Sequence, residues 1–317
     1  MTPIMKPILI LCVLLLFFNC KGQEKKVFET NGVPSDTIQK IQAYTYTHDK
    51  QIHYGVGISC FASFELYIDD ILVAKEETAG IISSGVELNE WVLKNGTHHF
   101  RVRYLPQTGK EFVEPYLLTE TRVTIDHWNY VENSILRPHS GAEDYESIFF
   151  EVPVPTEKVP FWEFSGEFEV ENLPFELTGW TESQDLSKMD QDELLKEVVI
   201  YYEYFRGLLN DGKIKQLLIE EKQKNIELAT ATYDDPNWYY TEESIDGFSK
   251  YINTMLPIEN YKLELYGNGR LVKLVRNDEG IFKNWDVLIG ESETEYFSTG
   301  GFLHKPKGSD SFKVIRK

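Results

Sequence analysis

Three consecutive aromatics beside short polar groups, Asp234-Asp235-Pro236-Asn237-Trp238-Tyr239-Tyr240, form the segment of this sequence best suited to hold a ligand. Ring faces stack on sugars or peptide planes, while neighbouring carboxylates and amides fix orientation. Trp238, Tyr239, Tyr240, Asp234 and Asp235 are therefore the candidate binding residues. The alternative is an aromatic plug where two helices meet a neighbouring domain. Histidines offer a second chemistry. His98 and His99 are neighbours on an expected strand and face opposite sides, so they cannot both ligate one ion without distortion. Asp126, His127 and His139 could supply further ligands across a sheet, as an open catalytic zinc site requires, but ordinary hydrogen-bonded histidines account for the same pattern. The sequence contains no His-Glu-x-x-His, no P-loop and no Gly-x-Ser-x-Gly, the spacings that metalloprotease, nucleotide and serine-hydrolase chemistry need. Gly55-Val56-Gly57 lacks the third glycine of a dinucleotide loop, and an expected hairpin explains Asn95-Gly96-Thr97. No catalytic set, metal site or cofactor is expected from these residues.

Cysteine carries the clearest chemistry. The apolar run Ile8 to Phe18 follows Lys6, stops at Asn19-Cys20, and gives way at once to Lys21-Gly22-Gln23-Glu24-Lys25-Lys26. The run is well short of the roughly 20 residues that cross a bilayer as a helix, and it fits the charged and apolar regions of an export signal. Phe17-Phe18-Asn19-Cys20 resembles the lipobox of bacterial lipoproteins in the style of the Bacteroidota. Asn19 stands where Gly, Ala or Ser is usual and Phe17 where Leu is usual. The resemblance, confined to about twenty residues, implies cleavage before Cys20 and acylation of its thiol and new amine. Each buried methylene contributes about 0.8 kcal/mol, so two or three chains hold firmly where one holds marginally. The lysines after Cys20 favour a periplasm-facing body. Of the three cysteines, Cys12 leaves with the signal and Cys20 is acylated. Cys60, in an apolar strand-like run, then remains as a lone buried thiol with no intrachain disulfide.

A hydrophobic content of 42% with 14% aromatics is enough for a core, and 317 residues suit one large or two ordinary domains. The formal net charge of −19 argues against nucleic acid or anionic lipid as partners recognised through a general field. Acidic residues crowd the stretch 141 to 200, whereas Lys305, Lys307, Lys313, Arg316 and Lys317 gather at the end. A solvated face explains the acidic stretch; a basic partner could exploit it.

The elements that must position these residues change type along the chain. Residues 1-19 read as the signal and 20-37 as a lipidated tether, reaching roughly 20 to 25 Å as a flexible chain. Within the tether, Asp36-Thr37-Ile38 resembles a short O-glycosylation pattern but also reads as a polar turn. From 38 to 180 short strands dominate: Phe64, Leu66 and Ile68 alternate with polar residues, Asp69-Asp70 turns the chain, and Asn95-Gly96 predicts a hairpin between 87–93 and 97–104. Phe100, Val102 and Tyr104 share one face of that return strand, with Arg101 and Arg103 on the other. Further strands are expected at 121–128, 147–154 and 167–170. The spacing predicts an antiparallel β-sandwich domain.

Residues 181-317 then read as an α+β domain, helices first and an antiparallel sheet afterwards. Asp190 caps a helix carrying Leu194, Val198, Tyr201, Phe205 and Leu208, which Asn210-Asp211-Gly212 stops. A second helix is expected over 213–232 and a third through Ile245, Phe248, Ile252 and Met255. Strands return at 261–265, 271–276, 281–289, near 296 and at 312–315. The element order loosely resembles the NTF2-like cone, which says nothing of function.

The sequence thus points to a membrane-anchored envelope lipoprotein that acts as a non-enzymatic binding module for a glycan, a peptide or an envelope protein. One alternative is an immunity lipoprotein whose acidic stretch masks a basic toxin. The other is an envelope hydrolase with an unrecognised carboxylate or histidine site.

Overall fold

The computed structural model of the protein describes residues 41–77, 82–130 and 143–316. The expected signal, Cys20, the tether, Asp36-Thr37-Ile38 and His139 lie outside the described residues. The chain first runs through β1 (Gln51–Cys60), β2 (Ser63–Ile68), β3 (Ile71–Glu76), β4 (Ile82–Glu87), β5 (Gly96–Leu105), β6 (Arg122–Tyr130), β7 (Glu143–Glu151) and β8 (Trp162–Val170). Helices α1 (Gln191–Asn210), α2 (Ile214–Glu220), α3 (Lys222–Thr232) and α4 (Glu242–Asp246) follow. The chain closes with β9 (Tyr261–Tyr266), β10 (Leu271–Arg276), β11 (Leu288–Glu291), β12 (Tyr296–Thr299), β13 (Phe302–His304) and β14 (Lys313–Arg316). All strand pairings among the described residues are antiparallel, in sheets ordered β4-β1-β6-β7, β3-β2-β5-β8, β14-β13-β10-β9 and β11-β12. The fold is therefore sheet-rich, with some helices.

Alternation sets the faces of the first two sheets. Phe64, Leu66 and Ile68 of β2 and Phe100, Val102 and Tyr104 of β5 are buried in one apolar cluster with Ile52, Val56, Val123 and Ile125 of β1 and β6. Glu65, Tyr67, Arg101 and Arg103 take the opposite face, as a period of two requires. Asp69 and Asp70 turn β2 into β3 with φ of 47° and 66°, the left-handed values that a two-residue primed hairpin turn demands.

The Asn95-Gly96 hairpin does not form. Leu88, Trp91, Val92 and Leu93 bury as a turn after β4, which belongs to a different sheet from β5. Asn95 is instead held by the backbone of Leu173, donating to its carbonyl at 3.1 Å and accepting from its N–H at 2.8 Å. Tertiary hydrogen bonds thus override a local turn signal.

In the second half Asp190 accepts from the N–H groups of Asp192 and Glu193 and starts α1 where expected. The expected helix 213–232 breaks at Glu221, because its two parts serve different cores. Ile214, Leu217 and Leu218 of α2 join a cluster with α1 and the third sheet, whereas Ala231 of α3 joins the cluster of the first two sheets. The expected third helix shortens to α4 and a 3-10 turn at Ser249–Tyr251. The end of α1 captures the rest: the Asn253 N–H donates to the Asn210 carbonyl at 2.9 Å, and Asn253 takes a φ of 58°.

Polar groups bind the two halves together. Arg316 of β14 has no exposed side-chain surface and pairs with Glu227 of α3 at 2.9 Å. Its Nε donates to the Glu90 carbonyl at 2.8 Å, and its guanidinium lies 5.2 Å from the Trp180 ring centroid. Glu227 also accepts from the Gly179 N–H and from Gln223. Asn89, fully buried, donates to the carbonyls of Ile52 at 2.8 Å and Ala231 at 3.2 Å. Removing one member of a buried pair strands the other charge, at about 3–5 kcal/mol. Arg316→Met and Glu227→Gln are each expected to lower the unfolding free energy by that amount in urea titrations. The double variant is expected to recover part of the loss, since no uncompensated charge remains.

Candidate functional site

The 234–240 segment is built on the end of α3. Tyr233 leaves the helix with a φ of 62°, and Asp235 then caps a 3-10 turn at Pro236–Tyr240 by accepting the Asn237 N–H at 2.9 Å. Asn237 clamps the backbone of residue 41 from both sides, accepting its N–H at 2.9 Å and donating to its carbonyl at 3.0 Å. Thr241 closes the turn by donating to the Trp238 carbonyl. On this braced turn Trp238 remains 52% exposed. Tyr239 meets it edge-on, with ring centroids 5.4 Å apart, and Asp234 and Asp235 are exposed alongside. Tyr240 turns away and packs against the cluster that α1 and α2 share. Four of the five sequence-derived residues thus sit together at the surface, and the fifth is a packing residue. Burial raises the Tyr239 hydroxyl's pKa, helped by Glu90, Asp234 and Glu221, so it stays a neutral donor at neutral pH.

The histidines are held apart by separate partners. His98 faces inward and gives both ring nitrogens to neighbours, Asp69 at 2.6 Å and the Lys94 carbonyl at 2.9 Å. His99 faces outward, 3.1 Å from Glu167. His127 stacks on Tyr54 at 5.0 Å, while Asp126 accepts hydroxyls from Tyr145 and Ser147. Among the described residues no three His, Cys, Asp or Glu side chains are grouped to hold a metal ion. A serine–histidine pair does exist: Ser183 and His304 are 2.8 Å apart. Ser183 is 1% exposed and His304 3%, so no substrate reaches the hydroxyl as the fold stands. Burial, offset in part by Glu227 and reinforced by Arg316, drops the His304 pKa to about 4. Cys60 is buried and donates to the Ala62 carbonyl, and burial pushes its thiol up to about 11, which leaves it a thiol rather than a nucleophile. Among the described residues no helix is long and apolar enough to cross a membrane.

A cleft of about 500 Å³ opens between the outer face of β2 and β5 and the strands β9 and β10. Strand alternation puts Arg101 and Arg103 on the face of β5 opposite Phe100, Val102 and Tyr104. That this face looks onto another sheet is a tertiary fact. The walls are pinned where two turns touch: the N–H of Gly267 donates to the Asp70 carbonyl at 3.1 Å, and that of Asn268 to the Asp70 carboxylate at 3.0 Å.

No protein-family model, curated protein or solved structure matches the chain.

Burial pulls the His98 pKa down, but Asp69 and the Lys94 carbonyl outweigh it and the imidazole sits above its ordinary value. Burial likewise raises Asp69, but its bonds from His98 and His99 leave it below its ordinary value. His98 therefore contributes stability that is fully present below about pH 6.5 and is lost as pH rises through its raised folded pKa. Asp69 contributes stability that is present above about pH 3.9 and is lost as pH falls through its lowered one. His98→Gln is expected to lower Tm more at pH 5.5 than at pH 8.5, which paired thermal melts will measure.

Proposed function

We propose that the protein is a lipoprotein of the cell envelope, anchored through acylated Cys20, facing the periplasm, and acting as a non-enzymatic binding module for a glycan or peptide. In this reading residues 1-19 are the signal and 20-37 the tether. Residues 38–180 form a β-sandwich domain, with β4-β1-β6-β7 packed on β3-β2-β5-β8, and residues 181–317 form an α+β domain. The apolar cluster common to the first two sheets and the run of helices ahead of β9–β14 support that division.

The observation that carries the binding reading is Trp238, half exposed on a turn braced by Asp235, Asn237 and Thr241. A rigid ring face costs little conformational entropy to use, and the carboxylates of Asp234 and Asp235 beside it can orient hydroxyl or amide groups. A second reading, neutralisation of a basic toxin, is favoured by the exposed Glu146, Glu151, Glu163, Glu167 and Glu169 on β7 and β8. That reading requires tight, salt-sensitive capture of a single protein.

Two outcomes test the proposal. Cys20→Ser is expected to abolish palmitate labelling and to move the protein out of the membrane fraction; labelling that persists overturns the anchor. On an array of oligosaccharides and short peptides, Trp238→Ala is expected to weaken retention of the bound class by about tenfold, the scale of one aromatic contact. Turnover of the arrayed polymers without retention would overturn the binding reading.

A further inference from the structure

The cleft between β2–β5 and β9–β10 has a charge balance unlike that of the chain. The protein carries 32 basic against 51 acidic residues, yet this cleft is lined by Lys75, Arg101, Arg103, Lys262 and Lys273. Only four carboxylates line it with them: Glu65, Asp70, Glu264 and Asp286.

The lysines are satisfied. Lys262 lies 2.6 Å from Glu264, Lys273 lies 2.6 Å from Asp286, and Lys75 lies 2.5 Å from Glu77. The arginines are not. Each guanidinium presents five N–H donors in a planar fork. Among the described residues the Arg101 guanidinium makes one hydrogen bond, to Glu163 at 3.2 Å, and stands 3.6 Å from Asp70. The Arg103 guanidinium makes no hydrogen bond among the described residues. Its carboxylate neighbours are Glu163, 3.8 Å from Nε, and Glu65 at 4.0 Å, and among the described residues the buried Nε has no hydrogen-bond acceptor. Glu65 is already engaged by the Tyr67 hydroxyl at 3.0 Å, and Glu163 is the one carboxylate that both arginines approach among the described residues.

Packing holds both forks in place. The Arg101 guanidinium lies 3.9 Å from the Tyr67 ring centroid and that of Arg103 4.4 Å from that of Phe161, a cation–π contact that restrains a guanidinium without consuming its N–H donors. Two guanidinium edges short of acceptors, two residues apart on one strand face, fit a planar anion that accepts bidentately. Among such anions a carboxylate suits the cleft best, because the carboxylates that remain on its walls repel a dianion and accept hydrogen bonds from hydroxyl or amide groups. We propose that this cleft is a binding site for a ligand carrying a single carboxylate flanked by hydrogen-bond donors, with Arg101 and Arg103 receiving the carboxylate. A uronic-acid sugar and the free C-terminus of a short peptide share that chemistry. The site is separate from Trp238 and stands whether or not the aromatic turn binds anything.

The test is calorimetric titration of the full chain in detergent with four probes: methyl galacturonoside, methyl galactoside, N-acetyl-trialanine and N-acetyl-trialanine amide. One of the two carboxylate probes is expected to bind, which identifies the source, and its uncharged counterpart to bind about tenfold more weakly or worse, as loss of a charge-assisted bidentate contact implies. Arg103→Gln is expected to weaken that probe by about tenfold or more, whereas Glu163→Gln, which releases the arginines from their shared counter-ion, is expected to tighten it. Opposite effects from two neighbouring substitutions separate binding from misfolding, and Trp238→Ala is expected to leave the affinity unchanged. Failure of both carboxylate probes to bind at about 10 mM, equal binding of charged and uncharged probes, or an affinity indifferent to Arg103→Gln overturns the proposal.

Discussion

Arg316 brings a guanidinium into a place from which water is excluded, and the arrangement of both halves of the protein follows from what that requires. Desolvation of an ion costs several kcal/mol even after relaxation, so the surroundings must return it through an opposite charge and directed hydrogen bonds. Burial lowers the Arg316 pKa, and Glu227, with Glu90 farther off, opposes that shift. Because Glu227 lies on α3, that helix must turn a polar side inward, and Lys224, Asn225 and Glu227 are all buried on it. Glu221 and Lys224 form a second buried pair at 2.5 Å beside the first. Hydrogen bonds are directional where apolar contacts are not, so a joint of this kind specifies one orientation rather than a range of them.

That orientation has a consequence on the opposite side of the sheet β3-β2-β5-β8. With β14 held through Arg316, its sheet neighbours β13, β10 and β9 stand across from the outward faces of β2 and β5. A surface that strand alternation would leave to solvent becomes one wall of a cleft. The two candidate binding places differ in chemistry for the same reason that they differ in position. Trp238 rests on a turn at the end of a helix and offers an apolar ring face. Arg101 and Arg103 rest on strand positions whose pleat points them outward, and they offer hydrogen-bond donors. In a chain of net charge −19, donors short of acceptors are the less common feature, and one sequence-distant sheet encloses them.

Much of the local structure was legible in particular residues. The Asp69-Asp70 turn, the Asp190 cap and the alternation in β2 and β5 all rest on patterns within a few residues, and local chemistry decided them. The failures have a common cause. Asn95 prefers the backbone of Leu173 to its own hairpin, the helix 213–232 divides between two cores, and Asn210 draws Asn253 and Met255 out of a third helix. In each, a partner far along the chain offered a better-satisfied backbone than the local pattern did. The aromatic turn fell between these extremes. Its composition marked it, but only packing separated Trp238, left outside, from Tyr240, taken in.

By itself the sequence determined the strand and helix faces, the acidity of the body, and the expectation of an anchor at Cys20, because periodicity, charge and a cysteine at the end of an apolar run are written in neighbouring residues. Only the tertiary structure decided that Arg316 lies buried against Glu227, that Ser183 and His304 meet where no solvent reaches, and that Arg101 and Arg103 look into a cleft. These depend on pairs separated by tens to hundreds of residues: Arg316 bonds Glu90 across 226 positions. Strand alternation says which way a side chain points; what it meets there depends on how whole sheets are set against each other.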